Sequence, residues 1–439
     1  MKKKYGRGNY SNIENIDDDD EEIINIKSNI KGKRRRKKYF FKTIKYNYII
    51  FTSIFIFLLL LFFLYKLYSY LNDSTQNEIE ELNKSGILHK DQAIANAISY
   101  IKKCASGKLI NNKIFKKVET PLISVIIPCY FCQNYIKGAL RSVQNQNFND
   151  LNIIIVNDDL DIKTINTLKE LANEDPRIEN IYNNKRMGIL YTRSIGVLHA
   201  KGEFVITLEQ EDFFSEKNVL GYIYKEAKEE NMDVINYKIF EGDDYSNKES
   251  YRDNNNKLDP NLTLYQPELS CHILNKNEEL LSNDIYIWGK LYNSLIYKSA
   301  INLLGKDRYS VFMEREDDAI MSFLIANVAY SYKFIEKYGY FHLIHEETPT
   351  SIIPVTKKNY YRLIKVEIFF DFTKKECKMA PVAELIEMKN IFPKSLDDET
   401  KNYLERLIKK IFGLNYIENK YKEQIKKLYK EYFPNIDNL

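Results

Sequence analysis

The chain carries only five cysteines in 439 residues and a single C-x-x-C spacing, at Cys129 and Cys132. Without a second such pair a four-cysteine zinc site is excluded, and the spacing reads as a coincidence at a strand end rather than a redox pair or half a metal site. The odd count leaves at least one cysteine unpaired if all pairing is intramolecular. A small-residue cleavage site is missing after the apolar run Ile49 to Tyr65, which also starts far from Met1, so a cleaved signal peptide fits poorly. Net charge is low as well, at +4, but it conceals segregation: Asp17 to Glu22 is wholly acidic, and Lys31 to Lys45 holds Lys and Arg with no acid. The net figure therefore identifies no partner, and no nucleic-acid partner is expected.

What is present begins with that apolar run. With aromatic flanks at Tyr46 to Tyr48 and Leu67 to Tyr70, it reaches the ~20 residues that cross ~30 Å of hydrocarbon. The sequence predicts a cytosolic disordered tail over 1–45, a transmembrane helix over 46–70, a stem with one amphipathic helix over 71–120, a catalytic domain over 121–352 and a helical extension over 353–439. The basic flank before the span, set against Lys66, Asp73 and Glu78 after it, predicts a single-pass type II protein with its large part luminal, in the Golgi or endoplasmic reticulum. Three N-x-S/T acceptors, at Asn72, Asn83 and Asn261, lie on the luminal side, as do all five cysteines.

In the stem, Ala93, Ile94, Ala97, Ile98 and Ile101 recur at helical spacing over Asp91 to Lys103, which predicts a helix docked on the catalytic domain or resting on the membrane. Three short apolar runs come next: Leu122 to Pro128, Ile153 to Val156 and Phe204 to Leu208. Runs of this kind, without alternation and separated by helical patterns at Asn134 to Gln146 and around Leu168 and Leu171, predict parallel strands covered on both faces. Further strands are expected at Ile178 to Tyr182 and Val234 to Tyr237, with helices at Met187 to Lys201 and Asn218 to Asn231. Gly242 to Asn261, charged and rich in asparagine, is expected as a mobile loop. Helices are expected at Tyr360 to Asp371, Ala383 to Asn390 and Glu399 to Leu428. A parallel sheet binds ligand outside the carboxyl ends of its strands, where Asp158, Glu209, Glu211 and Asp212 would gather.

The order of these blocks resembles the family 2 glycosyltransferases, over roughly Pro121 to Ile352. The matching residues are Ser124-Val125-Ile126-Ile127-Pro128-Cys129-Tyr130, the S-x-x-x-Q pattern of Ser142 and Gln146, Ile155-Val156-Asn157-Asp158, Gly188 with Arg193-Ser194-Ile195-Gly196, Ala200-Lys201-Gly202-Glu203, Ile287-Trp288-Gly289-Lys290-Leu291-Tyr292 and Arg315-Glu316-Asp317-Asp318. The resemblance implies an α/β GT-A fold, a Rossmann-like mixed sheet flanked by helices. It implies transfer of a hexosyl or N-acetylhexosaminyl group from a nucleoside-diphosphate sugar, UDP being the expected nucleotide, to a glycan or glycoconjugate hydroxyl. It implies a donor site of Asp158, Pro128, Tyr130, Gly188, Arg193 and Gln210, and an acceptor site of Trp288, Lys290 and Glu316.

The family's metal-binding D-x-D falls on Glu209-Gln210-Glu211-Asp212, with glutamate at both expected aspartates. Mn or Mg accepts carboxylate oxygens from either residue type, but each glutamate is longer by one methylene. Glu209, Glu211 and Asp212 are the expected metal ligands, with Asp212 taking over where the longer side chains misfit. A second reading, a catalytically silent nucleotide-sugar-binding or scaffold protein with a drifted motif, stays open at this point. Asp317 is the candidate base, taking the acceptor proton in a single inverting displacement; the bland reading of the 314–318 acids is a solvated helix start. His342 and His345, with Glu346 and Glu347, are read as structural rather than as a further metal site.

Overall fold

The structure, a computed structural model, describes residues 89–109, 114–253, 259, 262–266, 268–272, 285–344, 353–373, 385, 388, 392, 396–415 and 417–436, with Phe62 and Lys66 before them. The tail, most of the expected transmembrane span, the first two glycosylation acceptors, Asn261, His345, Glu346, Glu347 and Cys377 lie outside the described residues. Among the described residues no helix is long and apolar enough to cross a membrane. The chain divides into two compact units, Met1–Leu88 and His89–Leu439. The second unit holds the sheet and its helices.

A mixed sheet is its centre, in the order β3-β2-β1-β4-β9-β6-β10-β5. Strands β1 (Ile123–Cys129), β2 (Leu151–Asn157), β3 (Ile178–Tyr182) and β4 (Phe204–Thr207) run parallel, as their β-branched runs predict. Both faces are covered, and the period-two geometry of a strand decides which residue enters which layer. Ile126, Ile154 and Val156 pack into one core, while Ile123, Val125, Ile127, Leu151, Ile153 and Ile155 pack into the other. Each buried isoleucine contributes roughly 1.5–3 kcal/mol of transfer free energy, so this block holds the strand ends in place.

Helices α2 (Ile136–Gln144), α3 (Ile162–Glu174) and α4 (Ile189–His199) make the crossovers. At α3 the Asp161 side chain accepts from the Lys163 backbone N–H and caps the first turn. The S-x-x-x-Q pattern has a physical role. Ser142 Oγ accepts from the Phe214 backbone N–H at 3.1 Å, and Gln146 Nε2 donates to the Glu216 carbonyl at 2.7 Å. These contacts pin the segment after Asp212, which forms β5 (Phe213–Phe214) and leads into α5 (Val219–Glu229).

In the second half of the sheet β6 (Val234–Gly242) begins at the expected strand of Val234 to Tyr237, whereas β9 (Lys290–Asn293) and β10 (Ser331–Leu343) were not expected from the residues. Strand β9 runs antiparallel to both β4 and β6, and β10 runs parallel to β6. The expected mobile loop after Gly242 is in part ordered. Lys248–Ser250 forms a 3-10 turn, β7 (Arg252–Asp253) pairs with β6, and Lys90 Nζ lies 2.7 Å from Asp253 Oδ2. Short strand β8 (Thr263–Tyr265) pairs with β10 and leads to a short helix, α6 (Glu268–His272).

The stem helix, α1 (89–105), docks on the domain. Its buried Ile94, Ala97, Tyr100, Ile101 and Cys104 meet Phe213, Phe240, Tyr251 and Phe341, and Tyr100 Oη donates to the Ser142 carbonyl at 2.8 Å. Cys129 and Cys132, expected as a coincidence, are joined in a buried disulfide that closes the turn beyond β1. Cys104 is a buried free thiol.

Helices α7 (Ser294–Leu304), α8 (Lys306–Tyr309) and α9 (Asp317–Val328) cover the face opposite α2 and α3. Helix α10 (Val355–Phe372) has two apolar faces: Tyr361, Ile364, Ile368 and Phe369 enter the core beside the sheet, and Leu363, Val366 and Phe370 enter the core of the extension. The expected single helix over Glu399 to Leu428 is two, α11 (Asp398–Phe412) and α12 (Asn419–Tyr429), separated after Gly413. The expected helix at Ala383 to Asn390 is described only at Leu385 and Met388, both helical.

Candidate active site

The carboxyl ends of β1, β2 and β4 bring the predicted donor and metal residues to one side of the sheet. Pro128 is buried in β1 and pairs with Val156. Tyr130 comes just after it, and its backbone is clamped by Gln210: the Tyr130 N–H donates to Gln210 Oε1 at 2.8 Å, and Gln210 Nε2 donates to the Tyr130 carbonyl at 3.2 Å. Gln210 thus couples the β1 turn to the acidic motif and spends its amide on the backbone.

Asp158 is buried and holds the loop before α4. It accepts from Asn183 Nδ2 at 2.7 Å and from the backbone N–H groups of Met187 and Gly188 at 2.7 and 2.8 Å. Gly188 has φ of +89°, and a Cβ there would stand 2.4 Å from the Met313 carbonyl oxygen, so the close approach of the 313 segment requires glycine. Asp159, to which the sequence pattern assigns no role, accepts from the Phe131 N–H at 2.7 Å and from the Asp161 N–H at 2.8 Å, shaping both turns.

Arg193 is buried and joins the two halves of the site. Its Nη2 lies 2.6 Å from Glu209 Oε1, and its Nη1 pairs with Asp317 and, at 3.0 Å, with Asp318 Oδ1. Burial opposes its charge, yet Glu209 and Asp318 outweigh that and hold the guanidinium protonated. Burial raises the Glu209 carboxyl while Arg193 pulls it back down. The arginine expected at the donor site is therefore engaged with protein carboxylates.

Asp212 departs from its expected place. It is fully buried and points into the sheet, accepting from Tyr340 Oη at 2.7 Å and from the Leu343 N–H at 2.8 Å, with His342 Nδ1 at 3.0 Å. Burial lowers the affinity of His342 for its proton, but Asp212 overrides this and lifts the imidazole to about 9. Tyr340 Oη also accepts from the Glu209 N–H at 3.1 Å. Tyr340 and His342 were missed as partners of this motif because β10 shows no local sign of facing it.

Glu211 is half-buried and has no ion-pair partner among the described residues. Burial pushes its carboxyl up, Asp212 and Glu209 push it further, and the nearby His342 pulls it partly back down. Such repulsion is what a divalent cation relieves, so Glu211 with Glu209 fits a cation electrostatically, whereas Asp212 faces the wrong way. Among the described residues no group of three or more His, Cys, Asp and Glu side chains stands ready to hold a metal ion.

On the acceptor side, Trp288 is only 4% exposed. It is stacked against Tyr286 at 4.4 Å, His342 at 4.6 Å and Tyr340 at 5.4 Å, so its ring belongs to the core of an aromatic layer. The more accessible rings of that layer are Tyr286 and His342. Lys290 is buried and its Nζ donates to the Tyr286 carbonyl at 2.5 Å. Glu316, at φ of +71° before α9, pairs with Lys365 at 2.8 Å, Arg315 at 3.2 Å and Arg362 at 3.5 Å. Helix α10 therefore anchors the start of α9. Asp317 and Asp318 occupy that first turn, where the helix favours negative charge, with side chains 7% and 27% exposed.

Residues 124–286 match the family described as Glycosyl transferase family 2. Among similar proteins are the glycosyltransferase EpsJ of Bacillus subtilis, 24% identical over 43% of this chain and 52% of the relative, and the GalNAc(5)-diNAcBac-PP-undecaprenol beta-1,3-glucosyltransferase of Campylobacter jejuni, 28% identical over 39% of this chain and 60% of the relative. The matches thus span little more than half of those relatives. The solved structure of S. aureus TarS 1-349 is similar in fold, with a TM-score of 0.51 at 15% identity, covering 72% of this chain and 88% of that one. Another, of the same protein in complex with UDP-GlcNAc, has a TM-score of 0.50 at 17% identity, covering 72% and 88%.

Proposed function

We propose that this chain transfers a hexosyl or N-acetylhexosaminyl group from a nucleoside-diphosphate sugar, with UDP as the nucleotide, to a hydroxyl of a glycan or glycoconjugate. The observation that carries the reading is Arg193: one buried guanidinium gathers Glu209 from the end of β4 with Asp317 and Asp318 from the start of α9. Carboxylates from distant parts of the chain are thereby brought together beside the strand ends, where α/β sheets bind ligand. The family match and the UDP-GlcNAc complex of the TarS protein support the nucleotide-sugar donor.

In this scheme the turns built on Asp158, Asp159 and Gln210 shape the nucleotide pocket between Tyr130 and Gly188. Asp317, paired with Arg193, accepts the acceptor hydroxyl proton as the new bond forms on the face opposite the leaving group, which inverts the anomeric centre. Asp318, the more exposed neighbour, is the competing carboxylate. Glu209 and Glu211 would hold a divalent Mn or Mg, which when bound neutralises charge developing on the leaving diphosphate. Tyr286 and His342, rather than the buried Trp288, offer ring surface to an acceptor sugar.

A second reading, a silent nucleotide-sugar-binding protein, is favoured by one observation: Glu209 is taken up by Arg193 and Asp212 by the β10 residues. A screen of nucleotide sugars for donor hydrolysis and transfer, with and without Mn, separates the two. Donor binding with neither reaction would support the silent protein. We also propose single-pass type II anchoring in the Golgi or endoplasmic reticulum with this domain luminal, on the basic flank at Lys31 to Lys45. In sealed microsomes residues beyond Tyr70 should survive added protease, and their digestion would overturn the orientation.

A further inference from the structure

A second arginine, Arg186, stands outside the buried network, on the loop between β3 and α4. Its guanidinium lies over the Tyr130 ring at 4.1 Å and over the Phe312 ring at 5.4 Å, and its Nη2 donates to Glu314 Oε1 at 2.5 Å. Glu314 also accepts from Tyr361 Oη at 3.4 Å. The Arg186 side chain is 40% exposed, in contrast to 4% for Arg193. One cation thus bridges the turn after β1, the loop before α4 and the segment before α9.

Its surroundings are those of the donor. The next two residues, Met187 and Gly188, give their N–H groups to Asp158, and the Tyr130 on which it rests is clamped to Gln210 of the acidic motif. The neighbouring polar groups are spent: Arg193 on carboxylates, Gln210 on backbone, Asp158 on the loop. Arg186 is an accessible cation, held by a single carboxylate.

We propose that Arg186 binds the diphosphate of the nucleotide donor and that Glu314 holds its place until the donor arrives. This rests on the nucleotide-donor reading above. An ion pair so exposed is weak, because water and salt screen it. A diphosphate presents more charge and several oxygens to the planar guanidinium fork, so it displaces one carboxylate. The exchange frees Glu314 and the segment leading to Asp317, and the Tyr130 ring face is uncovered for the base.

The test compares UDP with uridine, which shares the base and ribose but carries no phosphate. Binding of each to the full chain is measured by calorimetry in Mn for wild type, Arg186→Ala, Arg186→Lys and Glu314→Gln. Arg186→Ala should weaken UDP about tenfold, the usual worth of one charge-assisted contact, and leave uridine within about twofold. Arg186→Lys should fall between, and Glu314→Gln should tighten UDP by releasing the arginine. Equal losses for UDP and uridine in Arg186→Ala would reduce Arg186 to a packing residue and overturn the proposal. So would unchanged UDP binding in that variant, or weaker UDP binding in Glu314→Gln. Failure of the wild type to bind UDP or any other nucleoside diphosphate would overturn the donor reading itself.

Discussion

Tyr340 Oη donates to Asp212 Oδ2 at 2.7 Å, from a strand 128 positions further along the chain. The same oxygen accepts from the Glu209 N–H, so one phenol braces both ends of the acidic turn. Tyr340→Phe removes a donor from a buried carboxylate and should lower unfolding free energy by about 1–3 kcal/mol in urea titration. A variant as stable as wild type would mean that His342 and Leu343 satisfy Asp212 unaided.

Arg193 invites a larger effect. Arg193→Met leaves Glu209, Asp317 and Asp318 close together without their shared cation, and loss of one partner from a buried ion network costs about 3–5 kcal/mol. Arg193→Lys should recover only part, because an ammonium cannot reproduce the planar fork. Thermal unfolding of both variants checks the order, and wild-type stability in Arg193→Met would show that the carboxylates protonate without penalty.

Asp317→Asn keeps size and hydrogen bonding but cannot accept a proton. Transfer should fall by ~10²–10⁴ with donor affinity nearly unchanged. Glu316→Gln and Asp318→Asn should be milder. If Asp318→Asn carries the large loss instead, the base is the more exposed neighbour; equal damage from all three would make the cluster a structural helix start.

Cation dependence should track Glu211. Glu211→Ala is expected to abolish the Mn-dependent part of donor binding, measured with Mn and again with EDTA, while leaving the melting temperature near that of wild type. Asp212→Asn should show the reverse pattern, losing stability first. Identical donor affinity of wild type in Mn and in EDTA would remove the metal from the scheme.

Cys104 gives a simple chemical check. Burial pushes its thiol up to about 11, so at pH 8 it is almost wholly protonated, and the thiolate that reacts is scarce and inaccessible. Iodoacetamide should leave it unmodified in the native protein and label it in urea. Rapid native labelling would mean that α1 undocks.

Local pattern carried a good deal of this protein. The β-branched runs of β1, β2 and β4 announce buried parallel strands, because a strand covered on both faces cannot alternate. The spacing of Ile94, Ala97 and Ile101 announces α1, because one helical face has to be buried. From these alone Asp158, Glu209 and Glu211 can be assigned to the same end of the sheet. Strands β9 and β10 carried no such sign, since their pairing depends on segments far away in the chain.

Only the tertiary structure decided what the acids do. Arg193 meets Asp318 across 125 positions and Asp212 meets Tyr340 across 128, and no local periodicity encodes such contacts. Asp212 adjoins Glu211 in the chain but is turned inward, because the backbone that continues into β5 aims it at β10. Trp288 is enclosed by rings from its own loop and from β10, and Cys129 meets Cys132 because the turn beyond β1 folds back on itself. Composition and spacing determine which side chains are available at the strand ends. Whether each carboxylate faces solvent, a cation or a buried donor depends on which distant element packs against it.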